Sequence, residues 1–406
     1  MKRTLLLSSF IAAASLTSIA QDANRAYAIT GKANGNFSWT DIREIDLSTG
    51  KVVNTVFEDG KTAFSFVNSS AQKSLAPGTI VSPTQSMVAA AALDSKHGKL
   101  FFAPMRSGEL TWLDVTSKTQ PKFYTEGKLL VSGIDVNDEA NNFTRMVIGA
   151  DGNGYALTND ANHLVQFTTG KKTVITDLGN LVDDQSNQGM SVHNKCSSWG
   201  GDIVADAYGK LYLFTASHNV FKIDINTRLA TLLGTVTGLT GTYTVNGAAV
   251  DNKDNIVLSS ANSFEGFYKV NLSDLHATKL ETTGQVFNCS DLANSNLLYA
   301  SQLKNTLGSA QLSKIEVIGN DQISVYPNPV TGSDFKVSFD KNPAGTYNII
   351  LTDLEGRLMM TKQVYIKASS QIEPMHLAIK PAAGMYLIKV TDSNKKAVFS
   401  DKLVVN

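Results

Sequence analysis

Short runs of alternating apolar and polar residues, separated by turns rich in Asp, Asn and Gly, make up most of the chain. Residues 201–236 show this pattern most clearly and predict four successive strands, because a period of two is typical of half-buried strands. The same pattern recurs at Asp94, Asp151, Asp206 and Asp251, which lie 57, 55 and 45 residues apart. A four-stranded unit that recurs every ~40–55 residues predicts the blades of a β-propeller.

Two weaker copies of the unit flank these four. They lie at residues 22–58 and from residue 291 onward, with further strands expected at 296–300 and 314–317. The repeats therefore predict an all-β ring of roughly six blades. Weak terminal copies are typical of a ring whose last blade is completed from both ends of the repeat region.

An aspartate turn is expected between the first and second strands of each repeat. Asp tolerates and hydrogen-bonds tight turns, and Gly supplies positive φ where it is present. The pair Gly152 and Gly154 is assigned to such a turn, because no helix opens after it as a phosphate-binding loop requires.

The N-terminal residues 1–20 have the composition of a secretory signal peptide. Lys2 and Arg3 precede an apolar run over residues 5–16, and small residues end at Ala20. Residue 21 is Gln rather than Cys, so the predicted cleavage site has no lipid-acceptor thiol. We expect the mature chain to begin there, after export across the inner membrane by the Sec route.

A second module is predicted after the repeats. Residues 319–324 form the expected linker between a propeller at 21–318 and a C-terminal module at 325–406. About seven alternating runs in this module predict a small seven-stranded Ig-like β-sandwich. Pro327 and Pro329 fix φ and donate no hydrogen bond, so they are expected at a sheet edge.

The C-terminal module resembles the type A C-terminal sorting domain of the Bacteroidetes type IX secretion system. The blocks that carry the resemblance appear in the family's order and include Tyr326, Pro327, Asn328, Pro329, Gly356, Gly384, Tyr386, Lys402, Leu403, Val404 and Val405. The resemblance implies recognition by the outer-membrane export machinery, removal by a surface protease, and attachment of the cargo to anionic lipopolysaccharide or its release. The chain is then expected at the cell surface or in the medium. The alternative is an ordinary Ig-like sandwich that carries the same motif.

Charge and cysteine content narrow the classes of partner. The 36 basic and 36 acidic side chains balance, which gives no broad electrostatic footprint for nucleic acid or for an anionic membrane surface. We therefore expect no nucleic-acid partner. The two cysteines, Cys196 and Cys289, form either one disulfide or two separate small hydrophobes, and the sequence leaves both readings open.

The densest polar and aromatic cluster lies at residues 190–202, directly before a predicted inner strand. Loops that enter the inner strands of a propeller line its central channel. His193, Lys195, Trp199 and Asp202 are therefore candidate ligand-binding residues, with Trp199 able to stack on a sugar or an apolar ligand. In the alternative interpretation Trp199 packs between blades, the two following glycines permit a tight entry, and His193 is a surface residue.

Two other segments of the repeat region are candidates for function. Trp39 lies in an aromatic stretch that is expected to reach the same face, although a single Trp is more often a core residue. The long insertion at residues 59–86 contains Phe64 and Phe66 and is interpreted equally as a functional loop or as a decoration.

Enzymatic motifs are not visible in the repeats. The six histidines form neither His-x-His nor His-x-x-x-His pairs, and no Gly-x-Ser-x-Gly stretch occurs. The aspartate turns are similar to those of NHL-type and gluconolactonase-like propellers, and those lactonases hold a divalent metal in the channel. On that analogy Asp135, Asn187, Asp202 and Asn246 are the candidate metal ligands.

The sequence therefore predicts an exported propeller that acts as a non-catalytic binding module for a glycan, a peptide or a surface protein. No cofactor is predicted in this interpretation. The alternative is a metal-dependent hydrolase or lactonase with a divalent cation in the channel, and a third interpretation is a structural component of the surface or matrix.

Overall fold

The computed structural model describes residues 24–32, 36–69, 73–74, 81–282, 284–301, 322–353, 358–367, 370–377 and 384–405. The signal peptide predicted at 1–20, the first half of the linker predicted at 319–324 and the strand predicted at 314–317 lie outside the described residues. Within the described part, strands dominate and no helix is long and apolar enough to cross a membrane.

Five sheets form a ring, and we number them as blades 1 to 5. Blade 1 contains β1 (Arg25–Lys32), β2 (Asn36–Asp46) and β3 (Val52–Phe57), together with the closing strand given below. Blade 2 contains β4 (Ser65–Asn68), β5 (Lys73–Ser74), β6 (Val88–Asp94), β7 (Lys99–Pro104), β8 (Glu109–Asp114) and β9 (Lys122–Leu129). The strands of blades 3 and 4 are β10 (Phe143–Ile148), β11 (Gly154–Thr158), β12 (Leu164–Phe167), β13 (Ile175–Gly179), β14 (Val182–Asp183), β15 (Asp202–Ala205), β16 (Lys210–Phe214), β17 (Asn219–Asp224) and β18 (Leu229–Thr235). Blade 5 and the closing strand contain β19 (Gly247–Val250), β20 (Ile256–Ser259), β21 (Tyr268–Val270), β22 (Ala277–Lys279) and β23 (Cys289–Ala293).

The inner strands of the ring are β6, β10, β15, β19 and β23, and each packs against the next around the axis. The ring closes because β23 pairs with β1, with Tyr27 opposite Ala293, so blade 1 has the order β23-β1-β2-β3. Apolar residues from facing blades fill the space between them, as in the cluster that joins Val204 of blade 4 to Val250 of blade 5. A single blade cannot bury both faces of its sheet, so this stacking supplies the core.

Among the described residues the ring contains five sheets, where the repeats predict roughly six blades. The two weak flanking repeats were counted separately, whereas the described residues of both belong to one sheet, blade 1. Closure from both ends of the repeat region was expected and is present. The prediction of a strand at 296–300 is wrong. In that stretch only Leu298 pairs with another residue, in an isolated bridge to Asp206 of blade 4.

The aspartate turns have the predicted structure. Asp206 Oδ1 accepts hydrogen bonds from the amides of Tyr208 and Lys210, both at 2.8 Å. Asp251 does the same with Lys253 and Asn255, at 2.7 and 2.9 Å. Each carboxylate therefore satisfies the amides of the turn that follows its inner strand, which explains why Asp recurs at this position.

The insertion at residues 59–86 contributes to the ring in its described part. β4 pairs in parallel with β9 and extends the outer edge of blade 2. Phe64 packs edge-on against Phe57 of blade 1 and Phe123 of blade 2, with ring centroids 5.6 and 5.8 Å apart. These residues therefore brace the junction between two blades.

The described part of the C-terminal region forms seven strands in two sheets, as predicted. The strands are β24 (Ile323–Tyr326), β25 (Asp334–Asp340), β26 (Gly345–Asp353), β27 (Leu358–Ile366), β28 (Ser370–His376), β29 (Gly384–Thr391) and β30 (Ala397–Val405). One sheet has the order β24-β25-β28 and the other β27-β26-β29-β30. Alternate residues of both, such as Phe339 and Leu351, face one apolar core, and we call this unit the sorting sandwich.

Candidate functional site

A cavity of about 340 Å³ opens at one end of the ring axis, and we call it the axial cavity. Every blade contributes to it from the beginning of its inner strand or from the residue just before. The five contributing positions are Ala89, Thr144, Gly201, Asn246 and Ser290. These positions form the floor, and longer side chains from the surrounding loops form the walls.

Two tryptophans stand in the walls of the axial cavity. The indole Nε1 of Trp39 donates to the Ala261 carbonyl at 3.1 Å, and that of Trp199 donates to the His193 carbonyl at 3.1 Å. Both indoles are partly exposed. Because their polar atoms are bound to the main chain, both rings are held in place. Trp39 packs in part against the apolar core of blades 1 and 2, and the Lys195 ammonium lies over the Trp199 ring, so a ligand can contact only the exposed part of each indole.

An ion pair lies beside Trp199. Lys195 Nζ is 3.0 Å from Glu139 Oε2 and 4.7 Å from the centre of the Trp199 ring. Both charged side chains are more than 60% exposed, at 63% and 64%, so the pair adds little to stability. It does place a cation and an anion within reach of anything that occupies the cavity.

Amide side chains supply most of the directional polar groups. Asn246 accepts at Oδ1 from the Ala261 amide at 3.0 Å, and its Nδ2 has no hydrogen-bond partner among the described residues. Asn159 accepts at Oδ1 from the Gly200 amide at 2.6 Å and donates from Nδ2 to the Glu139 carbonyl. The axial cavity therefore offers fixed amides rather than a cluster of charges.

The entry to β15 follows the predicted tight path. Asn194 caps the single-turn helix α1 (Lys195–Ser198) by accepting from the amides of Cys196 and Ser197. Gly201 then has a φ of +96°, and a Cβ at that position would lie 1.9 Å from the Phe214 carbonyl oxygen. Only Gly fits this approach, which brings Trp199 to the cavity.

Two aspartates lie one position below the floor. Asp202 is fully buried and accepts from the amides of Ile203 and Ala248 at 2.7 and 2.8 Å. Burial raises its pKa well above the ordinary range, and the amides of Met146 and Leu292 act with the other two in the opposite direction. The carboxyl is thus surrounded by main-chain donors from four of the five inner strands.

Asp291 occupies the equivalent position of blade 1. It is fully buried, and neither carboxyl oxygen has a regular hydrogen bond among the described residues. Burial, and then the charge of Asp202, raise its pKa well above the ordinary range, while the amide of Ala91 opposes the shift. Since Asp202 has the stronger set of donors, Asp291 is the better placed of the two to hold a proton.

Arg145 fills the same layer between blades 3 and 4. Its guanidinium is fully buried and donates to the carbonyls of Thr158 and Ser198, each at 2.6 Å, and to Gly200 at 2.9 Å. Burial lowers the pKa of Arg145 to about 9, against the effect of Asp160 and Asp202. Through these hydrogen bonds Arg145 holds the loop that contains Trp199 against the neighbouring blade.

The lower part of the channel is closed. Its walls are mostly apolar, and the remaining space of about 10 Å³ holds at most one water. Asn294 and Asn296 complete its lining, and each donates to the Val250 carbonyl at 2.8 Å. Residues 294–301 thus cross the far end of the axis.

The structure brings together three of the five predicted ligand-binding residues. Trp39, Lys195 and Trp199 line the axial cavity, and Asp202 lies beneath its floor. His193 lies outside it, with Nδ1 and Nε2 at 2.7 and 3.1 Å from the carbonyl oxygens of Asp160 and Leu181. His193 is partly exposed, and its two ring nitrogens connect it to two neighbouring loops.

The four candidate metal ligands do not converge. Asp135 accepts from the Asn137 amide in an exposed turn, Asn187 binds Ala230 and Leu232 at the outer edge of blade 4, and Asn246 lines the cavity. Among the described residues, no group of three or more His, Cys, Asp or Glu side chains is placed to hold a metal. The two cysteines are both free, Cys196 exposed and Cys289 buried.

Sequence reasoning missed Arg145, Asp291 and the floor residues Thr144 and Ser290. They are not distinctive in their local sequence. Their common feature is position: Arg145, Asp202 and Asp291 follow floor residues at the same step of three inner strands. An exact superposition of the repeats would have found them.

The predicted sorting residues are placed around one edge of the sorting sandwich. Tyr326 ends β24, the next three residues are exposed, and Val330 then forms a parallel bridge to Val405 of β30. Gly384 and Tyr386 lie in β29, opposite Val405 and Leu403 of β30. Gly356 lies outside the described residues.

Residues 324–406 match the family model of the secretion system C-terminal sorting domain. This confirms the resemblance drawn from the motif. The domain directs export through type IX secretion to the cell surface or the extracellular space, and the export machinery is therefore a partner of this chain. No curated protein sequence is significantly similar to this chain.

Solved structures similar to the chain include several propellers. PorZ of Porphyromonas gingivalis, described as an essential surface component of the type-IX secretion system, has 15% identity and a TM-score of 0.32, covering 94% of this chain and 51% of PorZ. Virginiamycin B lyase from Staphylococcus aureus has 12% identity and a TM-score of 0.30, covering 94% and 96%. The calcium-binding protein regucalcin from Agrobacterium tumefaciens has 12% identity and a TM-score of 0.33, covering 63% and 71%. The chain spans about half the length of PorZ, and these low similarities carry no argument about function.

Proposed function

We propose that this exported propeller is a non-catalytic binding protein and that its ligand is a saccharide held in the axial cavity. The observation that carries the proposal is the composition of that cavity, in which Trp39 and Trp199 stand over a floor of small, amide and hydroxyl side chains. The apolar face of a pyranose ring stacks on an indole, while its hydroxyls exchange hydrogen bonds with amides.

The size of the site fits this class of ligand. Small-molecule sites are commonly ~300–1,000 Å³, and the axial cavity, at about 340 Å³, lies at the lower end of that range. The free Nδ2 of Asn246 is a donor that a sugar hydroxyl can satisfy. A strongly charged ligand would instead have to compete with the Lys195–Glu139 pair.

The buried aspartates favour binding over hydrolysis. A hydrolytic carboxylate needs contact with its substrate, and Asp202 and Asp291 are both fully buried below the floor. Asp202 also uses its oxygens to accept from main-chain amides. Its position is that of a structural group.

The test is isothermal titration of the mature chain with neutral oligosaccharides. Trp199→Ala and Trp39→Ala are expected to weaken binding about tenfold or more, because each removes one stacking surface. Trp112→Phe is the matched control, since Trp112 stacks on Tyr124 in blade 2 and is not part of the cavity wall. Absence of saccharide binding by the wild type, or equal losses in all three variants, would refute the proposal.

We further propose that a surface protease removes the sorting sandwich and that the propeller is then attached to anionic lipopolysaccharide. The support is the presence of the sorting domain itself. Mass spectrometry of the surface form tests this: a product that still contains peptides from β30 would contradict removal.

A further inference from the structure

An exposed aromatic pair lies outside the axial cavity. Phe37 of β2 is 50% exposed and Phe264 of blade 5 is 39% exposed, although both are large apolar side chains. Their ring centroids are 5.7 Å apart and the rings are tilted by 55°. A single exposed apolar residue needs no explanation, but two in contact beside a cavity form a small apolar platform, which we call the aromatic shelf.

The aromatic shelf is continuous with the cavity wall. Phe37 lies two positions before Trp39 on β2, in a stretch where the pairing of β2 with β1 shifts register. On the facing loop, Ala261 lines the cavity and binds the Trp39 indole, and Phe264 follows three positions later. The same strand and the same loop are therefore joined twice, by the Trp39–Ala261 hydrogen bond at the cavity and by the Phe37–Phe264 ring contact at the shelf.

We propose that the aromatic shelf is an extension subsite for a linear oligosaccharide, one sugar of which occupies the axial cavity. This inference rests on the proposed function and specifies it: the ligand is a chain and not a single sugar. Successive pyranose rings of a linear glycan present apolar faces in series, and the series Trp39 then Phe37 with Phe264 offers matching surfaces.

The polar surroundings of the shelf suit the same ligand. Asn262 donates to Thr244 Oγ1 at 3.4 Å, and Ser263 Oγ lies 3.2 Å from Glu265 Oε1. These side chains flank Phe264 with groups that both donate and accept. Sugar hydroxyls around a stacked ring need both kinds of partner.

The experiment is titration of the mature chain with a ladder of neutral oligosaccharides of increasing length. Wild-type affinity is expected to rise with length and then level off. In the double variant Phe37→Ser and Phe264→Ser, the longer members should lose about fivefold in affinity, while the shortest ligand that binds keeps its affinity. The variant Phe37→Tyr with Phe264→Tyr retains both rings and should keep the length dependence.

The controls separate this inference from the proposed function. Val174→Ser removes a 51% exposed apolar residue from blade 3, away from the cavity, and should leave all affinities unchanged. Saccharide binding that does not depend on length, or a Ser variant that weakens short and long ligands equally, would overturn the shelf and leave the cavity site standing. No saccharide binding at all would overturn both, as would binding confined to peptides. Unchanged thermal midpoints show that each variant is folded.

Discussion

Asn328 and Val404 are joined by a 2.9 Å hydrogen bond from the Val404 amide to the side-chain oxygen of Asn328. The Nδ2 of the same amide donates to the Lys402 carbonyl at 2.7 Å. The first and last blocks of the sorting motif are thus bound to each other, although 76 residues separate them in sequence. Asn is suited to this position because one side chain supplies both a donor and an acceptor.

Asn328→Ala is expected to lower the unfolding free energy of the sorting sandwich by about 1 kcal/mol, because both hydrogen bonds are lost at an exposed site. The fraction of the chain that reaches the cell surface should fall with it. Thermal unfolding and cell fractionation measure the two effects. Ser324→Ala, in neighbouring β24, is the control and should change neither, whereas a fully exported and fully stable Asn328→Ala would contradict the assignment.

Asp291→Asn should alter the dependence of stability on pH. The folded-state pKa of Asp291 is raised, so its protonated form stabilises the fold below the unfolded pKa of about 3.9, and this stability is lost as pH rises through the folded pKa. The neutral amide cannot ionise. We therefore expect the variant to be more stable than the wild type at high pH, on the order of 1–3 kcal/mol, with a smaller advantage in acid.

Asp202→Asn is the matched comparison for this measurement. The new side-chain nitrogen would face the amides of Ile203 and Ala248, from which the carboxylate accepts hydrogen bonds in the wild type. The free energy of unfolding should therefore fall at every pH. The other ionisable groups near the pair are Arg145 and Cys289, whose pKa values burial moves to about 9 and about 12. Identical pH profiles of wild type and Asp291→Asn between pH 4 and 8 would contradict the proton assignment.

Arg145→Lys should destabilise the propeller by about 3–5 kcal/mol, the range for disrupting a buried, fully bonded charge. A lysine has one nitrogen and cannot reach the carbonyls of Thr158, Ser198 and Gly200 together. Arg228→Lys is the control, because the partly exposed side chain of Arg228 donates a single hydrogen bond, to the Asn180 carbonyl, and should change stability by less than about 0.5 kcal/mol. Denaturant unfolding distinguishes the two.

Gly201→Ala should prevent the normal entry to β15. The added methyl would lie 1.9 Å from the Phe214 carbonyl, at a φ of +96°. We expect a loss of at least about 2 kcal/mol and weaker ligand binding, since Trp199 is two positions away. Gly170→Ala, which has open space and an ordinary φ, should be neutral. Equal stability of the two variants would show that the loop relaxes without cost.

Local chemistry made part of this molecule predictable. The turns at Asp206 and Asp251 could be read from the sequence because each carboxylate binds amides within four residues of itself. The cluster that holds Lys195 and Trp199 was also visible, since it precedes an inner strand. These features depend on neighbours in sequence.

Contacts between distant residues account for what the sequence did not predict. The pairing of Tyr27 with Ala293 merges two weak repeats into one blade, and no local pattern records it. His193 and Asp202 resemble site residues by type, but main-chain groups from other blades bind both. The aromatic shelf likewise depends on Phe37 and Phe264 meeting across more than two hundred residues of chain.

The direction of β23 decides how the exported protein is presented. Its second residue, Ser290, lines the axial cavity, and the strand runs from there to Ala293, towards the opposite end of the ring. Antiparallel β1 starts at that same opposite end, at Arg25. The described residues of the ring therefore both begin and end at the face opposite the cavity. A propeller attached through its C-terminal end would therefore carry its cavity on the face away from the point of attachment.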